Sequence, residues 1–165
     1  MTLIVEDGSI VAGAESYISV ANADTYHSNR GNTSWTGTTA AKEAALRKAT
    51  DYMTQMYRQR WQGGRVDADQ VLDWPRYSVV VDGFDVDYDA VPTAVQNACA
   101  EFALRALSAD LLADQTQGVL SKTVGPLSVD YDRTSPQAKR YSAVNSMLAP
   151  YLSGLGGVNL QVLRR

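Results

Sequence analysis

Between Pro92 and Leu112 apolar residues recur at three- and four-residue steps. Val91, Ala94, Val95, Ala98, Phe102, Ala106 and Leu107 form one stripe, which Leu104 and Leu111 widen. This spacing predicts a helix over about 91–113, opened by Pro92, whose fixed φ and missing N–H suit a first helical turn. Thr93, Asn97, Glu101, Arg105 and Ser108 leave only a narrow polar strip, with Glu101 four residues ahead of Arg105 for a surface ion pair. A helix this apolar needs cover on most sides, so the remaining elements are expected to gather around it.

Ser19 can cap a helix from Val20 to about Arg30, closed by Gly31, with Val20, Ala23, Tyr26 and His27 facing inward. Thr38 or Thr39 can cap a second, from Ala40 to about Trp61. Its inner face would carry Ala45, Ala49, Tyr52, Met53 and Met56, and its outer face a charge ladder of Glu43, Arg47 and Asp51. Gly63 and Gly64 would end it. Leu3 to Val11 reads as two extended pieces about a turn at Glu6 to Gly8, and Asp67 as the cap of one helical turn through Leu72, stopped by Trp74-Pro75. Val79 to Val81 leads into an Asp82-Gly83 turn. Beyond it Phe84, Val86 and Tyr88 alternate with Asp85, Asp87 and Asp89, as in an amphipathic strand or extended loop with an acidic outer face.

A second hairpin is expected from Val119 to Val124 and Leu127 to Tyr131 about Gly125-Pro126. A last helix would run from Ser135-Pro136 to near Leu152. Residues 153–157 form a Gly-rich joint, and VNLQVLRR after it alternates like a strand with no partner in its own chain. The fold expected is mainly α: a helical bundle around the central helix, a β-hairpin at about 119–131 and an extended C-terminal tail. Residues 1–152 would form one domain and 153–165 the tail.

Composition narrows the chemistry. The 165 residues suit one domain, able to bury about 70% of its unfolded surface. A net charge of −3 argues against a dedicated binder of duplex DNA or anionic membranes. No apolar run approaches membrane-span length and MTLIVEDGS lacks the pattern of a signal peptide, so a soluble, unexported chain is expected. The single cysteine, Cys99, lies inside the central helix and reads as a buried thiol, and the single histidine, His27, as a helix-face residue. No phosphate-cradling motif is present. Asp85, Asp87 and Asp89 are spaced like calcium ligands, but Ala90 and Gln96 stand where that loop needs glycine and glutamate. No catalytic residue, metal or cofactor is expected, and hence no enzyme.

One nucleic-acid signal survives. Along the second helix and its exit Tyr52, Tyr57 and Trp61 lie among Arg47, Lys48, Arg58, Arg60 and Arg65, the mixture of stacking rings and guanidiniums that a single-strand binder uses. Tyr52 falls on the core face, however, and Arg47 and Arg58 sit with Glu43 and Asp51, a spacing that favours structural packing over nucleic-acid contact.

The runs EDGSIVAGAESYISVANADTYH, ATDYM, LDWPR and VGPLSVDY, with the DG turn and the VP before the central helix, resemble the head-tail connector (adaptor) proteins of tailed bacteriophages. Sequences of that kind are often labelled DnaT-like single-stranded DNA-binding proteins. The resemblance implies a virion structural protein, made in the host cytoplasm and acting at the head-tail interface. It would be a homo-oligomeric ring, commonly of twelve subunits, between the portal protein and a neck or tail-completion protein. Genomic DNA would pass through its channel, and no membrane would be engaged. The tail residues Val158, Leu160, Val162, Leu163, Arg164 and Arg165 would dock on the portal. Lys122, Val124, Leu127, Val129 and Tyr131 of the hairpin would contribute to the ring or the channel wall. The alternative is a single-stranded DNA-binding replication accessory protein using Tyr57, Arg58, Arg60, Trp61 and Arg65.

Overall fold

Ser19 starts the first helix as its spacing predicts: its side chain accepts a hydrogen bond from the amide of Asn22, and α1 runs Val20–Ser28. A computed structural model of the chain describes residues 2–112, 121–124, 127–130 and 140–154. In it Thr38 caps α2, Thr39–Tyr57, in the same way. The central helix, α3, spans Thr93–Ala106 and is shorter than expected at both ends. Pro92 is extended (φ −56°, ψ 140°) and caps the helix from outside it. At the far end the Ser108 hydroxyl donates to the Arg105 carbonyl, the local bond by which serine competes with helix continuation.

α3 lies against α1, α2 and the short α4, Ser142–Leu148. Its small residues Ala98, Cys99, Ala100 and Ala103 are fully buried, which lets α2 approach with Ala45, Leu46, Ala49, Thr50 and Met53. Met56, expected on that inner face, is 43% exposed. The bulky filling is aromatic: the Tyr52 and Phe102 centroids are 4.7 Å apart, and Tyr141 stands edge-on to both.

The rest of the described chain is extended or irregular, so the molecule is a small mixed α/β domain and not the mainly helical bundle expected. Its short strands form three two-stranded antiparallel ladders. β1 (Gly64–Arg65) pairs with β2 (Arg76–Tyr77), and β3 (Val80–Val81) with β4 (Phe84–Asp85). The predicted turn joins β3 to β4, with Asp82 and Gly83 both at positive φ (53° and 86°). β5 (Ser121–Val124) pairs with β6 (Leu127–Asp130), so Lys122 faces Val129 and Val124 faces Leu127 in the expected hairpin. Tyr131 and residues 155–165 lie outside the described residues.

Other departures have local causes. Residues 3–11 do not pair with each other, because the buried carboxylate of Glu6 accepts the amides of Gly8, Ile10 and Val11 at 2.9–3.0 Å. Those donors are no longer available to a hairpin. The turn expected from Asp67 to Leu72 is not helical: Asp67 accepts the amide of Asp69, and Arg65 takes the carbonyls of Ala68 and Gln70. Trp74-Pro75 is a cis peptide. α4 gives way to a 3-10 turn, Ala149–Tyr151, because Pro150 has no N–H to continue an α-helix. The expected Ser135-Pro136 start of that helix lies outside the described residues.

Candidate nucleic-acid interface

α2 ends in a tight turn in which Tyr57 O accepts the amides of both Arg60 and Trp61. This turn drives both predicted stacking residues inward. Tyr57 is 2% exposed and Trp61 5%. Trp61 meets Tyr57 at 5.7 Å and Trp74 at 5.6 Å between centroids, and the Tyr57 hydroxyl donates to Asn145. Burial pushes the Tyr57 phenol up to about 12, so it remains a donor. Neither ring can meet a base. Both are core.

The arginines divide by role. Arg65 clamps the 68–70 loop, as above. Arg58 is half exposed, with its Nε 3.8 Å from the buried carboxylate of Asp73, which also accepts from Trp61 Nε1 at 3.3 Å. Burial raises the Asp73 carboxyl, and Arg58 opposes that rise. Arg76, which the sequence reading passed over, is buried and holds the carbonyls of Gln62, Gly63 and Asp73. Arg60, of the predicted set, opens onto a hollow. Its guanidinium lies 5.6 Å from the Tyr57 centroid, and with Asn145, Ser146, Leu152 and Ser153 it lines a cleft of about 380 Å³. No carboxylate stands among those lining residues.

Backbone bonds extend this cleft into a strip. Ser153 gives both its amide and its hydroxyl to Arg60 O. Gln62 donates to Pro150 O and accepts the amide of Val80. Beyond Gln62 the β1–β2 ladder sets Tyr77 against Gly64, where a Cβ would fall 2.7 Å from the ring. Gly63 is bound to this place: its φ is +61°, and a Cβ would stand 1.9 Å from Tyr77 O. Tyr77 is 53% exposed, and the hairpin that follows shows Phe84 at 77% and Tyr88 at 64%. The alternation implied that Phe84 and Tyr88 would face inward, and they do not. Two-residue strands cannot cover a full apolar face: Val79 is buried in the core, Val81 and Val86 pack partly against it, and the rings stay outside. The signal for these exposed rings was present in the sequence as a DG turn flanked by aromatics. Asp82, Asp85, Asp87 and Asp89 are all exposed in and just after this hairpin and make the stretch that carries Phe84 and Tyr88 acidic.

The remaining candidates are quiet. His27 Nε2 lies 3.1 Å from Ala100 O, which can only accept, so Nε2 carries the proton and Nδ1 accepts from Asn32. Burial lowers its pKa and keeps it neutral. Cys99 is buried beside Thr50 and Ser16, and burial raises its thiol. Among the described residues no three His, Cys, Asp or Glu side chains are grouped to hold a metal, and no helix is long and apolar enough to cross a membrane. The hairpin residues Lys122, Val124, Leu127 and Val129 occupy paired strands. The tail residues Val158, Leu160, Val162, Leu163, Arg164 and Arg165 lie outside the described residues.

No curated protein and no solved structure matches the chain. One family model does, and its description corrects the expectation of a head-tail connector in favour of the alternative set beside it. Matched over residues 1–165, the chain belongs to the family described as Putative DnaT-like ssDNA binding protein.

Proposed function

We propose that the chain binds single-stranded DNA along the strip from Arg60 through Gln62 to Tyr77 and Phe84. The observation that carries the reading is the end-to-end match to a family described by that ligand. The strip adds the chemistry. Arg60 offers a guanidinium to a phosphate, and the exposed rings of Tyr77 and Phe84 offer faces on which successive bases stack. The acidic hairpin edge opposes the phosphate backbone and holds the affinity down.

The test is anisotropy of a labelled oligothymidylate of about 16 nucleotides across a salt series. Affinity falls with salt by about 0.7 log units per log unit for each phosphate neutralised, and Arg60→Ala removes about one such increment. Binding that ignores salt, or that survives Arg60→Ala, Tyr77→Ala and Phe84→Ala together, overturns the reading.

A further inference from the structure

A second hollow lies between α1 and the first turns of α3 and shares no lining residue with the Arg60 cleft. It measures about 290 Å³ and is lined by Asn22, Asn29, Gln96 and Asn97, with Tyr26 and Arg30 at one wall. Four carboxamides around one opening is an unusual concentration. The groove along α2, by contrast, is lined by Glu15, Arg47 and Asp51. Asn22 and Asn29 stand seven residues apart, on one face of α1 and its end, opposite Gln96 and Asn97 of α3.

These amides are not used to hold the fold. Among the described residues the side chains of Asn22, Asn29 and Asn97 make no hydrogen bond, and Gln96 spends only its Nε2, on Val91 O. Asparagine is also a weak helix former, so Asn22 and Asn97 weaken helices that gain no side-chain hydrogen bond from them. The wall is a built stack. The Arg30 guanidinium carbon sits 3.7 Å from the Tyr26 centroid, held there by a bond from Nη1 to Tyr26 O. The Tyr26 ring is fixed in turn by its hydroxyl, which donates to Glu101. Arg30 is exposed, which leaves the outer face of the guanidinium open to a second planar group.

We infer that this hollow is a nucleobase slot, in which a base stacks on Arg30 over Tyr26 while the amides of Asn22, Asn29, Gln96 and Asn97 meet its edge. A carboxamide presents a donor and an acceptor side by side, the pattern that pairs with a base edge, and guanidinium planes are stacking partners for unpaired bases. The ligand class rests on the single-stranded DNA reading above, and the slot gives that reading a site where one base is held and its neighbours are not.

The experiment is a titration of the full chain with deoxyadenosine and deoxycytidine, which carry no phosphate, followed by the side-chain amide resonances of its Asn and Gln residues. The expected result is movement of the Asn22, Asn29, Gln96 and Asn97 signals at millimolar nucleoside, reduced about tenfold in affinity by Arg30→Ala, while deoxyribose 5-phosphate leaves them unmoved. Amides that ignore both nucleosides, or that respond equally to the sugar phosphate, overturn the slot. An Asn22→Ala, Asn97→Ala double variant, which replaces weak helix formers by the best one and so keeps the fold, should weaken an oligodeoxyadenylate about tenfold and leave an abasic strand of equal length unaffected. Equal loss for both strands also overturns it. Response to nucleosides without any oligonucleotide binding keeps the slot and sinks the strip.

Discussion

Trp61, just before β1, and Tyr77, in β2 of the same ladder, stand sixteen positions apart and meet opposite fates. Trp61 closes an aromatic core with Tyr57 and Trp74, and Tyr77 lies open on Gly64. Nothing in the residue type separates them. What does is the element that carries each: a tightened helix end folds its ring back over its own turn, whereas a two-residue strand at an edge turns alternate rings to water. An aromatic among arginines is therefore no sign of stacking until the element beneath it is known.

The contrast breaks most visibly through stability. Trp61→Ala should cost about 3–5 kcal/mol in denaturant unfolding, the loss typical of a buried large aromatic. Trp61→Phe, which keeps the fold, should leave oligonucleotide affinity unchanged. Phe84→Ala should do the reverse, leaving stability within about 0.5 kcal/mol and weakening oligonucleotide binding by about 1–3 kcal/mol. If Trp61→Phe lowers affinity and Phe84→Ala does not, the roles assigned to the two rings are exchanged.

Charge sharpens the same contrast. Asp85→Asn with Asp87→Asn removes two carboxylates beside Phe84 and should raise affinity by roughly 1 kcal/mol at low salt, with the gain fading as salt rises. Unchanged affinity at low salt would mean that the hairpin does not approach the strand.

The mildest effect concerns His27, packed between Tyr26 and Trp35. Its folded pKa is lowered from 6.5 by burial, so the unfolded chain takes up the proton first. Its contribution to stability is whole above 6.5 and is lost as pH falls through the folded value. Asp73, raised by burial, acts in the opposite sense, favouring the fold below its ordinary 3.8 and less so as pH rises. Unfolding curves of wild type and His27→Gln compared between about pH 7.5 and 5.5 isolate the histidine: only the wild type should lose the increment due to it.

Local patterns were legible from sequence. Ser19 and Thr38 cap their helices, Asp82-Gly83 makes its turn, and Val95, Ala98 and Phe102 lie buried on the predicted stripe, because each is decided within a few residues. The buried state of Trp61 depends on Trp74, thirteen residues away, and helical periodicity put Met56 inside by one step too many. Glu6 and Arg76 escaped notice because a charged residue carries no mark in sequence that its bonds will all be to backbone. The amide hollow escaped because its two halves come from α1 and α3, more than sixty residues apart.

Glu6 has a further consequence for how the molecule opens. Three amides converge on one buried carboxylate in a stretch that belongs to no helix or strand, and Gly8 lies so near Asp89 O that no side chain fits between them. In deuterium exchange Gly8, Ile10 and Val11 should therefore be protected like residues of α3 and lose that protection together in Glu6→Ala. The slow-exchanging part of this protein would then include an irregular loop, released as one unit by the loss of a single anion.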